Sequence, residues 1–190
     1  MTTLPYLEVR VRSAEERDLA AVTRIYGHHV MTGTGSFEET PPERREIKAR
    51  FEAVRAVGLP YLVAELGGRV VGYAYAGLYR QRSAYRFTVE DSVYVAPDCM
   101  GRGVGRLLLR RVVMGCGRLG YRQMLALIGD SGNDRSIRLH ANLDFKHVGV
   151  QSAVGFKFGR WLDVVVMQRA LGAGGASLPG EDPLRPLRGG

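Results

Sequence analysis

The residues best suited to chemistry lie between Val93 and Gly105, in the stretch VYVAPDCMGRGVG. An apolar strand pattern runs there into a turn with glycines at 101, 103 and 105. A helical pattern with Leu107, Leu108 and Val112 follows. Glycines let the backbone take positive φ and approach a ligand closely. A helix start adds unpaired N–H groups and the positive end of the dipole, which suit phosphate oxygens. Arg102 and Arg106 add charge, so the segment reads as a pyrophosphate site, with a glycine turn that binds nothing as the alternative. A Walker loop is excluded because Gly-Lys-Ser/Thr is missing. The spacing G-x-G-x-G also differs from the dinucleotide fingerprint G-x-G-x-x-G.

Two further side chains could move protons. Glu90 sits in mid-strand, where alternation places Arg86, Thr88, Glu90, Ser92 and Tyr94 on one face and Asp91 on the other. Its carboxylate either faces solvent or accepts a proton beside the glycine turn. His140 lies on a short helical segment, either packed near the core or available as an acid. His28 and His29 read as a capping or surface pair and His147 as a surface residue of a strand. No HxxxH or similar spacing occurs, so no metal is expected. Cys99 and Cys116 form neither a disulfide framework nor a zinc pattern, which points to a reducing cytoplasm.

The elements that must hold these residues follow from period and punctuation. LEVRVR, residues 7–12, alternates as a half-buried strand. Ser13 and Glu16 form a capping-box pattern opening a helix to about His29. MTGTGSFEETPP is a loop, and a second amphipathic helix follows Pro42 and ends near Gly58. YLVAEL and RVVGYAYAGLY, separated by Gly-Gly, form a hairpin. Residues 85–95 make a third long strand, and the glycine turn leads into a helix. YRQMLALI is an apolar strand, and SGNDRSIRLHANLDF holds a short helix capped by Asn133 or Ser131. FKHVGVQSAV and RWLDVVVMQRAL are the last strands. The order predicts an α/β fold with a mixed, mostly antiparallel sheet flanked by helices, in one domain over residues 1–171. Residues 172–190, rich in Gly and Pro, read as a disordered tail.

Composition narrows the function classes. The 190 residues are 45% hydrophobic and 24% charged, enough for one sizeable core and too apolar for global disorder. No apolar run is long enough to span a membrane, and the N-terminus turns polar too soon for a signal peptide. Lys and Arg number 27 against 19 Asp and Glu, a formal +8. A basic surface suits nucleic acid, membrane headgroups or small anions. The arginines are spread along the chain, few aromatics stand among them and no helix-turn-helix pattern occurs, which argues against nucleic acid.

Together these stretches resemble the GNAT acetyltransferase superfamily, and within it the phosphinothricin/methionine sulfoximine N-acetyltransferase branch. The resemblance is carried by Gly35-Ser36-Phe37-Glu38, Gly72 to Ala76, Tyr85-Arg86 with Thr88-Val89-Glu90, Val93 to Val95, Gly101 to Gly105, Asn133 to His140, and Val154 to Asp163. It covers residues 8–170. It implies a sheet that splays at the cofactor-binding strand, and acetyl-CoA as acetyl donor. Gly101, Arg102, Gly103, Val104, Gly105 and Arg106 would then wrap the pyrophosphate. Val93, Tyr94 and Val95 would pair with the pantetheine arm, and Asn133 would touch the cofactor. Glu90 matches the proposed base, taking the proton an ammonium must lose before it can attack. His140 stands where many relatives carry the acid that protonates the departing thiolate.

The acceptor implied is a small amino acid analogue such as phosphinothricin, methionine sulfoximine or methionine sulfone, whose acetylation detoxifies a glutamine-synthetase inhibitor. Phe37, Glu38, Arg80, Arg82, Tyr85, Lys157 and Arg160 match acceptor-side positions, and arginine forks suit carboxylate and phosphinate groups. The resemblance also implies a homodimer, with the GFKFGRWLD segment reaching across the interface. Acetylation of protein N-termini or other amines, and a non-catalytic acetyl-CoA sensor, remain alternatives. Three departures stand out. Met100 replaces a polar residue, removing a phosphate contact. Asp134 follows Asn133 where a small residue or Pro is common. Asp144 replaces the glycine that ends the helix in a left-handed conformation.

Overall fold

A computed structural model of the chain describes residues 8–184. Seven strands form one sheet in the order β1-β2-β3-β4-β5-β7-β6. They are β1 (Arg10–Ser13), β2 (Tyr61–Leu66), β3 (Arg69–Leu78), β4 (Thr88–Val95), β5 (Gln123–Gly129), β6 (Lys146–Lys157) and β7 (Arg160–Ala170). Four helices accompany them: α1 (Leu19–Thr32), α2 (Arg44–Ala56), α3 (Val104–Arg118) and α4 (Asp134–Ala141). The expected α/β class and the mostly antiparallel sheet are borne out. Every neighbouring pair is antiparallel except β4 and β5.

That parallel pair makes the site. β4 and β5 are in register only at Thr88–Gln123, Val89–Met124 and Glu90–Leu125. Beyond Glu90 the strands part, and a groove opens between them. The core fills the sheet from behind. Val22, Val30, Val63, Val71, Val89, Leu108, Leu109, Val112 and Met124 are almost fully buried. Each alternates inward along a strand or recurs at helical spacing.

Several boundaries differ from expectation. The residue Leu7 lies outside the described residues, and the first strand begins at Arg10. Ser13 ends that strand instead of capping a helix. The capping carboxylate is Asp18, which accepts from the Glu15 N–H at 2.8 Å and is clasped by Arg12. Residues Ser83–Tyr85 form a 3-10 turn, with the Arg86 N–H bonded to the Ser83 carbonyl, so the third long strand starts at Thr88 and Arg86 is not on its face. Tyr85 packs edge-on against Tyr79, and Arg80 lies over both rings, which holds the turn closed. β6 runs three residues past Val154 to Lys157.

Residues 172–184 form no helix or strand but are not free. Arg122 donates to the Gly174 and Ser177 carbonyls, Asp182 pairs with Arg86, and Leu184 is buried. The rest of the expected tail, 185–190, lies outside the described residues. No helix among the described residues is long and apolar enough to cross a membrane.

Candidate functional site

The groove between the parted strands has a volume of about 1300 Å³. Its walls are β4 from Glu90 to Val95, the glycine turn, the start of α4, the end of β5 and the loop 33–38. At the turn Gly101 and Gly103 have φ of 76° and 80°, which side chains adopt only with strain. Gly103 is the N-cap of α3, so the first N–H groups of that helix have no partner within it. Arg106 and Arg135 line the same wall. This is a cradle for a long ligand with a phosphate-bearing end. Residues of β4 beyond Glu90 have no strand on the β5 side, so their backbone edge is open to an extended arm such as pantetheine.

The sequence-derived candidates divide. Glu90, Val93, Tyr94, Val95, Gly101, Gly103, Val104, Gly105, Arg106, Asn133, Phe37, Glu38 and His140 all line the groove. Arg102 does not. A second cavity of about 440 Å³ lies beside the groove and is lined by Tyr79, Arg80, Leu127, β6 residues Val148 to Gln151, and again Glu90. Glu90 and Leu127 belong to both spaces. Burial, and secondarily the charge of Asp91, push the Glu90 carboxyl up to about 7. Arg82 and Tyr85 line neither space.

Three candidates are committed elsewhere. Lys157 is 2% exposed, and its ammonium donates to the Val30, Gly33 and Ser36 carbonyls at 2.8, 3.0 and 2.8 Å. All three of its protons are used, so it presents no cation to a ligand. Arg160 pairs with Asp130 at the surface. Glu38 accepts from the Tyr26 hydroxyl at 2.8 Å and from Arg50 at 2.7 Å.

His140 also departs from its expected part. It is 3% exposed, its Nδ1 donates to the Ser136 carbonyl at 2.8 Å, and its Nε2 faces Asp91 at 3.1 Å. Burial would lower its pKa, but the Asp91 carboxylate outweighs that and holds it above its usual range. Neither nitrogen is left for a thiolate. Asn133 spends its Oδ1 capping α4 through the Ser136 N–H. Asp144 has φ of 63°, the left-handed value expected there.

Sequence reasoning missed His29. Its ring is half-buried and donates Nε2–H to the Val95 carbonyl at 2.8 Å, fixing the end of β4 in the groove. Burial holds its pKa below the usual range, so it stays neutral. A contact spanning 66 residues leaves no trace in local spacing. Arg135 was missed as well. Its guanidinium lies 3.2 Å from the Met100 sulfur, so a cation stands at the rim where Met100 itself supplies none. Among the described residues no three His, Cys, Asp or Glu side chains gather as a metal site.

Comparison with known proteins agrees with this geometry. The Acetyltransferase (GNAT) family model matches residues 23–145. A phosphinothricin N-acetyltransferase of Alcaligenes faecalis is 57% identical over 169 residues, 89% of this chain and 86% of that protein. An L-methionine sulfoximine/L-methionine sulfone acetyltransferase of Salmonella typhimurium is 42% identical over 161 residues, 85% of this chain and 94% of its own. Among solved structures, a GNAT superfamily phosphinothricin acetyltransferase from Sinorhizobium meliloti in complex with AcCoA superposes with a TM-score of 0.88 at 46% identity. It covers 91% of this chain and 94% of its own.

Proposed function

The chain belongs to the GNAT acetyltransferase family, and we propose that it N-acetylates small amino acid analogues of the phosphinothricin, methionine sulfoximine and methionine sulfone type. Acetyl-CoA is the donor. When bound, it supplies an activated acetyl group as a thioester. The chain's own residues do the rest. The N–H groups at the start of α3, with Arg106 and Arg135, hold the phosphates. The open edge of Val93 to Val95 would hold the arm, and a backbone N–H near Val95 would be available to stabilise the thioester oxygen.

The observation that carries this reading is the place of Glu90. It is the last residue of β4 that pairs with β5, on the boundary between the donor groove and the smaller cavity. A carboxylate with a pKa of about 7 is matched to take a proton from an amine at neutral pH. The acceptor sits where the groove and the smaller cavity meet at Glu90 and Leu127, between the 33–38 loop with Phe37 on the groove side and Arg80 on the other, the cation for its carboxylate or phosphinate group. The product is a neutralised inhibitor, and the biological role is resistance to it. The enzyme works in the cytoplasm, as its buried free Cys99 and Cys116 suit, and as a homodimer joined through the exposed apolar face of β6.

The test is thiol release from acetyl-CoA by wild type and Glu90→Gln. The acceptor panel holds phosphinothricin, methionine sulfoximine, methionine sulfone, ordinary amino acids and N-terminal peptides. Turnover is expected with the analogues and lost in the variant. Turnover with peptides alone would move the function to protein N-termini, and cofactor binding with no turnover would make the protein a sensor.

A further inference from the structure

Lys157 is a buried cation with no carboxylate in ion-pair reach among the described residues. Burying a charge in that way is unfavourable unless other groups compensate. Its three partners are carbonyls from the end of α1 and the loop after it, at the negative end of the helix dipole. The Phe158 ring covers the fourth side of the ammonium at 4.9 Å. An apolar side chain would suffice to hold a hairpin near a helix. Three directed hydrogen bonds fix orientation as well as proximity.

The segment so fixed is the loop 33–38, every residue of which lines the groove. The same loop is pressed onto two glycines. A Cβ at Gly129 would lie 2.2 Å from the Thr34 carbonyl oxygen, and a Cβ at Gly155 would lie 2.2 Å from the Phe37 ring. Its far end is tied by the Tyr26 hydroxyl to Ser36 at 2.9 Å and to Glu38 at 2.8 Å. The loop is therefore a fixed wall.

The geometry points to Lys157 as a positioning residue for the acceptor: its ammonium bolts the 33–38 loop to the tip of β6 and sets where Phe37 stands. That role rests on the acetyl-transfer reading above. Phe37 is the part of the wall through which it acts, because the ring sits directly over Gly155, two residues before Lys157.

The experiment compares wild type, Lys157→Met and Gly155→Ala in acceptor KM and kcat, in acetyl-CoA affinity by calorimetry, and in amide exchange over 33–38. Lys157→Met is expected to speed exchange in the loop. It should also lower kcat/KM for the acceptor on the order of 10- to 100-fold, chiefly through KM, because a displaced wall misplaces the bound amine. Acetyl-CoA affinity should stay unchanged. Gly155→Ala should raise the acceptor KM by displacing the ring while Lys157 keeps its bonds. It decides the matter if Lys157→Met does not fold. An acceptor KM unchanged in Gly155→Ala, or a Lys157→Met variant that loses kcat and acetyl-CoA affinity together, would overturn the assignment. If wild type acetylates nothing, the functional reading has failed. Loop exchange then decides the bolt alone, and unaltered exchange in Lys157→Met would refute it.

Discussion

Glu90 carries a conflict that the fold keeps. Burial and the neighbouring Asp91 charge favour its protonated form, while its proposed task needs the carboxylate. The basic form therefore appears as pH rises through about 7. The acceptor kcat/KM of wild type should show an acid limb centred there. Glu90→Gln should lose roughly 10²- to 10⁴-fold and flatten the limb, with acetyl-CoA affinity kept. Stability follows the same proton with a definite sign. A carboxyl whose folded pKa lies above its ordinary 4.5 contributes stability below that value and loses it as pH rises through about 7. Glu90→Gln should consequently gain on wild type between pH 5 and 8, by about 1–3 kcal/mol in urea melts at the two pH values. No relative gain at pH 8 would show that Glu90 titrates normally. The face of Glu90, opposite Asp91, was legible because strand alternation is local, whereas its part as a base came only from the family resemblance. His29, Lys157 and the Asp91–His140 pair were not legible, since their bonds join residues 49 to 127 positions apart.

Elements were legible where a local signal marks both ends. The Gly-Gly between β2 and β3 and the glycines before α3 did so, and the hairpin and the turn stand as expected. Signals failed where tertiary contacts decided. The Tyr79, Arg80 and Tyr85 stack closes a turn that takes residues 85–87 out of what reads as a strand over 85–95. β6 lacks a clean alternation because its register with β7 shifts between His147 and Gly149 and again between Gln151 and Gly155. The two left-handed positions lead to opposite expectations. Gly103 at φ 80° caps α3, so Gly103→Ala should cost about 1–2 kcal/mol and weaken acetyl-CoA binding, read by melting with and without the cofactor. Asp144 at φ 63° follows α4 with its side chain 82% exposed, and its contact with Arg169 is 3.5 Å. So loose a pair is worth little. Asp144→Gly should leave stability unchanged or raise it by up to ~1 kcal/mol, the strain relieved being partly offset by unfolded-chain entropy. A clear loss would mean that the ion pair outweighs the backbone strain.

At the scale of the molecule the outer face of β6 lacks cover from any other element among the described residues. It is the edge strand of the sheet, twelve residues long, and Val148, Val150, Val154 and Phe156 stand more than two-fifths exposed on it. Trp161 on β7 is 65% exposed and meets Phe156 edge-on. Edge strands of monomers are usually blunted by charge, proline or cover, and large exposed apolar patches mark interfaces. β6 has lysines only at its two ends and no proline, so within it only the two register shifts work against pairing. A second copy is the occupant proposed for this face, and the formal charge of +8 makes the proposal sharper. Two copies of a basic chain repel, and salt screens that repulsion over about 8–10 Å while leaving apolar burial intact. A dimer formed through β6 should therefore tighten as salt rises, whereas one held by ion pairs would loosen. Sedimentation of wild type at micromolar concentration should give twice the 20.9 kDa chain mass. Trp161→Glu, which places a charge in the patch without touching the groove, should sediment as a single chain. A wild-type chain that sediments at the monomer mass at every salt concentration would leave the apolar face of β6 without its proposed partner.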